Sequence, residues 1–93
     1  MGKLELQQMV LGPVYTNCYF VKNKETKELL IIDPADSPNR IFQKVEDMGA
    51  KPVGILLTHG HFDHIMAVKE VKEEYQIPVY ACSHEKMMLK EPL

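Results

Sequence analysis

Apolar and polar residues alternate roughly over positions 3–11, with Leu4, Leu6 and Val10 on the apolar side, and this period of two predicts a half-buried strand. Gly12-Pro13 breaks it. Cys18-Tyr19-Phe20-Val21 predicts a second short strand, and the polar run Asn23–Glu28 predicts a turn. Leu29-Leu30-Ile31-Ile32 is continuously apolar and predicts a third strand, ended by Asp33-Pro34. Short turns between three strands predict an antiparallel meander.

The period changes at Ser37-Pro38, where serine suits a helix cap and proline the first helical position. Ile41, Phe42, Val45 and Met48 then fall on one helical face, and Gly49 is placed to end the helix. Pro52 opens the next apolar run, Val53–Leu57, read as a buried strand. A second helix is expected to start inside the segment that follows Thr58 and to run to about Gln76, burying Ile65, Val68, Val71 and Tyr75. Residues 78–82 predict another strand, and Ser83 a cap for a last short helix carrying Met87, Met88 and Leu89. The fold class is therefore α/β, a mixed sheet in which an antiparallel meander is followed by a β-α-β arrangement of right-handed sense. The apolar runs Leu29–Ile32 and Val53–Leu57 look buried on both sides. One layer of helices covers one side only, so the chain wants a partner layer.

With 93 residues the chain suits one domain, 1–93, of modest stability. The 45% hydrophobic and 26% charged composition is ordinary for a globular protein and argues against disorder throughout. A net charge of −2 leaves no electrostatic footprint for nucleic acid or an anionic membrane, so neither is an expected partner. No apolar run reaches the roughly 18 residues of a membrane span, and the N-terminus shows no secretory pattern, which together read as cytoplasmic. Cys18 and Cys82 lie far apart, form no C-x-x-C pair, and are expected to be reduced thiols.

The chemistry concentrates in His59-Gly60-His61-Phe62-Asp63-His64. Imidazole nitrogen and carboxylate oxygen suit zinc, and also iron or manganese. On a helix, His59 and His61 would point nearly opposite ways, so they converge only on a loop or strand end, where Gly60 permits a tight turn. Asp63 and His64 are adjacent and could face a second ion. A buried strand before the segment and a helix after it give rigid support. The bland alternative, histidines placed for packing or left on the surface, accounts poorly for three of them beside an acid and a glycine.

Thr58-His59-Gly60-His61-Phe62-Asp63-His64 resembles the H-x-H-x-D-H motif of the metallo-β-lactamase superfamily. Asn17–Val21, followed by Ile31-Ile32-Asp33-Pro34, resembles its glyoxalase II-like (hydroxyacylglutathione hydrolase-like) members, and the likeness runs from about Val10 to Cys82. The resemblance implies the N-terminal half of an αββα sandwich, in which two similar halves pack sheet on sheet. It implies that His59 and His61 bind a first metal and that Asp63 and His64 bind a second, with Asp63 also holding a catalytic water. The cofactor would be one or two zinc ions, with iron or manganese as alternatives. A metal-bound hydroxide would attack a small-molecule substrate, a thioester or related acyl compound. Asp33 would support the ligand loop from behind; its other reading is a turn residue before proline.

The sequence departs from the family pattern downstream. No aspartate follows Asp63, and His84 is the one histidine after His64, too early for the family's third ligand and read as a surface or helix N-terminal residue. Cys82 is read as a buried strand residue. Met66 stands where many members carry a small residue, with an effect on packing beneath the site. Four donors split between two ions leave two protein donors each, fewer than the three or more usual for zinc. The competing expectation is thus a truncated, non-catalytic half-domain that binds metal weakly and self-associates as a homodimer through its exposed sheet face. A redox member with a di-iron site is a third reading, disfavoured because no flavin domain is present.

Overall fold

A computed structural model describes residues 2–12, 16–34, 36–58, 65–82 and 87–89. The chain forms β1 (Leu4–Leu11), β2 (Thr16–Asn23), β3 (Glu28–Ile32), α1 (Pro38–Met48), β4 (Lys51–Leu57), α2 (Ile65–Tyr75), β5 (Val79–Cys82) and β6 (Met87–Leu89). The strands make one six-stranded sheet in the order of the sequence, β1-β2-β3-β4-β5-β6. The first three are antiparallel, β3-β4 and β4-β5 are parallel, and β5-β6 is antiparallel. The expected meander followed by β-α-β units is therefore present.

Strand alternation sorts the sheet into two unlike faces. Cys18, Phe20 and Lys22 of β2 are buried, as are Leu29 and Ile31 of β3, and the register pairs Phe20 with Ile31 and Lys22 with Leu29. Ile55 and Val79, paired across β4 and β5, continue this side. The helices supply Ile41, Val45 and Met48 from α1 and Val68 and Val71 from α2 to the same core. Phe42 and Tyr75 join the helices edge-to-face, with ring centroids 5.7 Å apart. The other face carries Leu30 and Ile32 of β3 and Leu56 of β4, all only half-buried, while Leu4, Leu6 and Val10 of β1 are 39%, 62% and 43% exposed. The continuous apolar runs are thus buried on one side and partly open on the other, because both helices lie on the same side.

Local chemistry explains the element ends. Asn23 caps the β2–β3 turn, its Oδ1 accepting from the backbone N–H groups of Glu25 and Thr26. Gly49 closes α1 at φ 59°, with its N–H on the Glu46 carbonyl and the Ala50 N–H on the Val45 carbonyl, the Schellman pairing. The Lys22 ammonium then donates to the Met48 carbonyl, with Glu5 3.9 Å away. A cation is favourable at a helix C-terminus, which accounts for a lysine that is only 8% exposed. Lys22→Met keeps most of the stem packing but strands that carbonyl. We expect a loss of about 1–3 kcal/mol in urea unfolding; an unchanged midpoint would show the bond to be dispensable.

Two expectations are corrected. Ser37 precedes α1 as expected, but it sits at φ 52° and makes no side-chain cap; its carbonyl instead receives the Arg40 and Ile41 N–H groups. Met87, Met88 and Leu89 are not helical. They pair with Cys82, Ala81 and Tyr80, because an unpaired edge of β5 offers backbone partners that a three-residue helix could not supply internally.

Candidate metal centre

Because β1, β3, β4 and β5 all run the same way, their carboxyl ends meet along one border of the sheet. Asp33 and Thr58 terminate β3 and β4 there. Open α/β sheets place their sites along such a border. Asp33 is 4% exposed and holds φ at 56°, a left-handed conformation that aspartate tolerates better than most side chains. Its own N–H donates to the Leu56 carbonyl at 2.9 Å. Its carboxylate accepts from Thr58 twice, Oδ1 from the backbone N–H at 2.8 Å and Oδ2 from the hydroxyl. Thr58 immediately precedes His59. A buried acid thus grips the residue from which the histidine segment springs, across the one crossover that joins β3 to β4.

Neighbouring groups build the same border. Gly12, at φ 70°, passes so close to Asp36 that a β-carbon there would lie 2.5 Å from the carboxylate. Asp36 accepts from the Ser37 N–H at 2.6 Å, and Arg40 donates to the Val10 carbonyl at 3.2 Å, tying the end of β1 to the start of α1. Cys18 is fully buried on β2. Burial, and secondarily the charge of Asp33, push its thiol from 9.0 up to about 12.

That shift has a pH sign. The neutral thiol is favoured in the folded state, so its contribution is complete below pH 9.0 and is lost as pH rises toward about 12. At pH 8 we expect Cys18 to react with a thiol reagent at least about a hundredfold more slowly in the native chain than in denaturant, read by peptide mass mapping. Rapid native labelling would mean the β2 thiol is accessible.

His59, His61, Asp63 and His64 lie outside the described residues, as does His84; the side chains of Met66 and Cys82 lie outside them too. Among the described residues, no group of three or more histidine, cysteine, aspartate or glutamate side chains comes together. The donor set is therefore read from its chemistry, three imidazoles and a carboxylate, which fits zinc, iron or manganese. The Asp33–Thr58 contact is what sequence reasoning left half-open. Its signal was an acid at the end of one buried strand and a hydroxyl residue at the end of the next. The contact between Gly12 and Asp36 left no comparable signal.

The sequence profile of the metallo-beta-lactamase superfamily matches residues 11–93. The chain belongs to the metallo-beta-lactamase superfamily. It is 40% identical over 88 residues to the probable metallo-hydrolase YqgX of Bacillus subtilis, covering 95% of this chain and 41% of that protein. It is 31% identical over 77 residues to the hydroxyacylglutathione hydrolase GloC of Haemophilus influenzae, covering 83% and 36%. Among solved structures, the BLEG-1 B3 metallo-beta-lactamase superposes with a TM-score of 0.73 at 40% identity, covering 81% of this chain and 35% of that one. TTHA1623 in a di-iron-bound form superposes with a TM-score of 0.68 at 38% identity, covering 78% and 36%. The chain thus spans between 35% and 41% of the length of these superfamily relatives. Among the described residues no helix is long and apolar enough to cross a membrane.

Proposed function

We propose that this superfamily chain carries the metal-binding segment of a hydrolase that cleaves thioesters or related acyl compounds. The observation that carries the reading is the buried Asp33 carboxylate gripping Thr58 directly before the histidine segment. Kinship with a hydroxyacylglutathione hydrolase supports the substrate class. His59 and His61 would hold one metal, and Asp63 and His64 a second. Zinc is our choice, and iron is the alternative that the di-iron relative suggests. When bound, the metal supplies a Lewis acid for a carbonyl oxygen and a water that ionises near neutral pH. The protein's own contribution is orientation and proton handling. Asp33 fixes the start of the ligand loop, which limits the reorganisation needed on binding. The three imidazoles bind in their neutral forms, so metal affinity falls as acid protonates them. By the family resemblance, the Asp63 carboxylate would hold the attacking water. Reduced thiols and a cytoplasmic location belong to the same reading.

The test is calorimetric titration of the metal-free chain with zinc, with hydrolysis of a hydroxyacyl thioester followed in parallel. Binding of about one or two zinc ions at micromolar affinity or better, with turnover, is the expected result. Both should be lost in His61→Ala, and turnover that survives this change would betray a contaminant. Absence of binding below millimolar zinc would sink the proposal. A second reading, weak metal binding without turnover, is favoured by the count of four donors for two ions; zinc binding with no hydrolysis would decide for it.

A further inference from the structure

We infer that Asp36 positions the histidine segment at one remove, by holding the stretch of backbone from which Asp33 grips Thr58. The inference rests on the reading of residues 59–64 as the metal-binding segment. The connection from β3 to α1 is bounded by two residues in the left-handed region, Asp33 at φ 56° and Ser37 at φ 52°. Neither is glycine, and such residues stay in that region only where their surroundings hold them. At the near end the hold comes from β4. Asp33 donates its N–H to the Leu56 carbonyl at 2.9 Å, and its carboxylate accepts from the Thr58 N–H and hydroxyl. Pro34 follows, fully buried, with its ring fixing φ. Two residues then separate it from Ser37, so a shift at the far end has little chain in which to dissipate.

Asp36 supplies the hold at that far end. Its Oδ1 accepts from the Ser37 N–H at 2.6 Å and from the Ser37 hydroxyl at 3.3 Å. Its Oδ2 lies against Gly12, where a β-carbon would stand 2.5 Å from that oxygen and 2.9 Å from Cγ. Gly12 is itself anchored, since Arg40 of α1 donates to the Val10 carbonyl at 3.2 Å and Leu11 is fully buried. The half-buried carboxylate thus braces the strained Ser37 against the end of β1. A plainer role for Asp36 is to place negative charge before the first turn of α1. That role stops at the helix and gives no part to Gly12 or Thr58.

Hydrogen exchange of the Thr58 amide in the metal-free chain, followed by NMR, tests the inference beside calorimetric zinc titration. In Asp36→Ala we expect this amide to exchange about tenfold faster relative to the slowest amides of β2, because its acceptor is less firmly placed. Zinc affinity should fall about three- to tenfold, less than for a group that touches the ligand segment directly. Asp36→Asn keeps an oxygen for the Ser37 N–H and should restore most of both. Gly12→Ala, which leaves Asp36 in the chain but displaces its carboxylate, should reproduce both losses. Combined with Asp33→Ala, Asp36→Ala should cost little further affinity, since its effect runs through Asp33. Unchanged Thr58 exchange in both Asp36→Ala and Gly12→Ala overturns the inference. So does a loss of affinity that adds in full to that of Asp33→Ala, or exchange that quickens equally throughout β2, the mark of a general loss of stability. A native chain that takes up no zinc sinks the metal reading instead, and Thr58 exchange alone then decides whether Asp36 acts on Asp33.

Discussion

Replacing Asp33 with alanine is expected to weaken zinc binding by the chain about ten- to a hundredfold, the usual cost of removing a group that holds a metal-bearing element in place. Asp33 has two tasks. It accepts two hydrogen bonds from Thr58, and it occupies φ 56°. Alanine loses the first and is disfavoured by about 1–2 kcal/mol in the second. Bonds to a charged acceptor add about 1.5–3 kcal/mol each, so the metal-free chain should also be destabilised. Asp33→Asn separates the two tasks. Asparagine tolerates the left-handed backbone and keeps one carbonyl oxygen for the Thr58 N–H. Thr58→Val removes the hydroxyl bond alone. The expected order of lost affinity is alanine, then asparagine, then valine at 58, measured by calorimetry. Wild-type affinity in Asp33→Ala would reduce the carboxylate to a turn residue before Pro34.

Phe20→Ala is expected to cost about 3–5 kcal/mol. Phe20 is fully buried in β2, opposite Ile31 of β3, in the core that both helices cover. A chain of 93 residues has about 5–14 kcal/mol of stability in all. The substitution therefore removes a large share of it, and urea unfolding should show a strongly lowered midpoint or no folded baseline. A loss below about 1 kcal/mol would mean that the core relaxes around the deletion far more than close packing allows.

The periodic parts of the fold were legible because a single physical rule governs them. Ile41, Val45 and Met48 recur at helical spacing and all three are buried. Gly49 reads as a helix end because a left-handed residue is needed there, and it adopts φ 59°. Ser37 misled because its residue type suits a cap, whereas Asp36 engages both its N–H and its hydroxyl. Met87–Leu89 misled because whether three apolar residues coil or extend is settled by a free strand edge, which only the assembled sheet supplies. Lys22 gave no sign of burial, since its partner carbonyl at Met48 lies 26 residues away. Of the candidate centre, residue types and order were legible, and the superfamily match bears out the kinship they indicated. The support from Asp33 was legible only as one of two readings, because its grip on Thr58 needs β3 and β4 side by side and parallel.

Every hydrogen-bonded strand pair in this sheet joins strands consecutive in sequence. The antiparallel pairings close loops through turns and the two parallel ones close longer loops across a helix, so each addition draws on chain that has just been made. A chain emerging from the ribosome can add each strand as it appears, in the order of synthesis. By the time His59 is exposed to a metal, the two strands that carry Asp33 and Thr58 have already been made, and the support for the histidine segment precedes the segment itself.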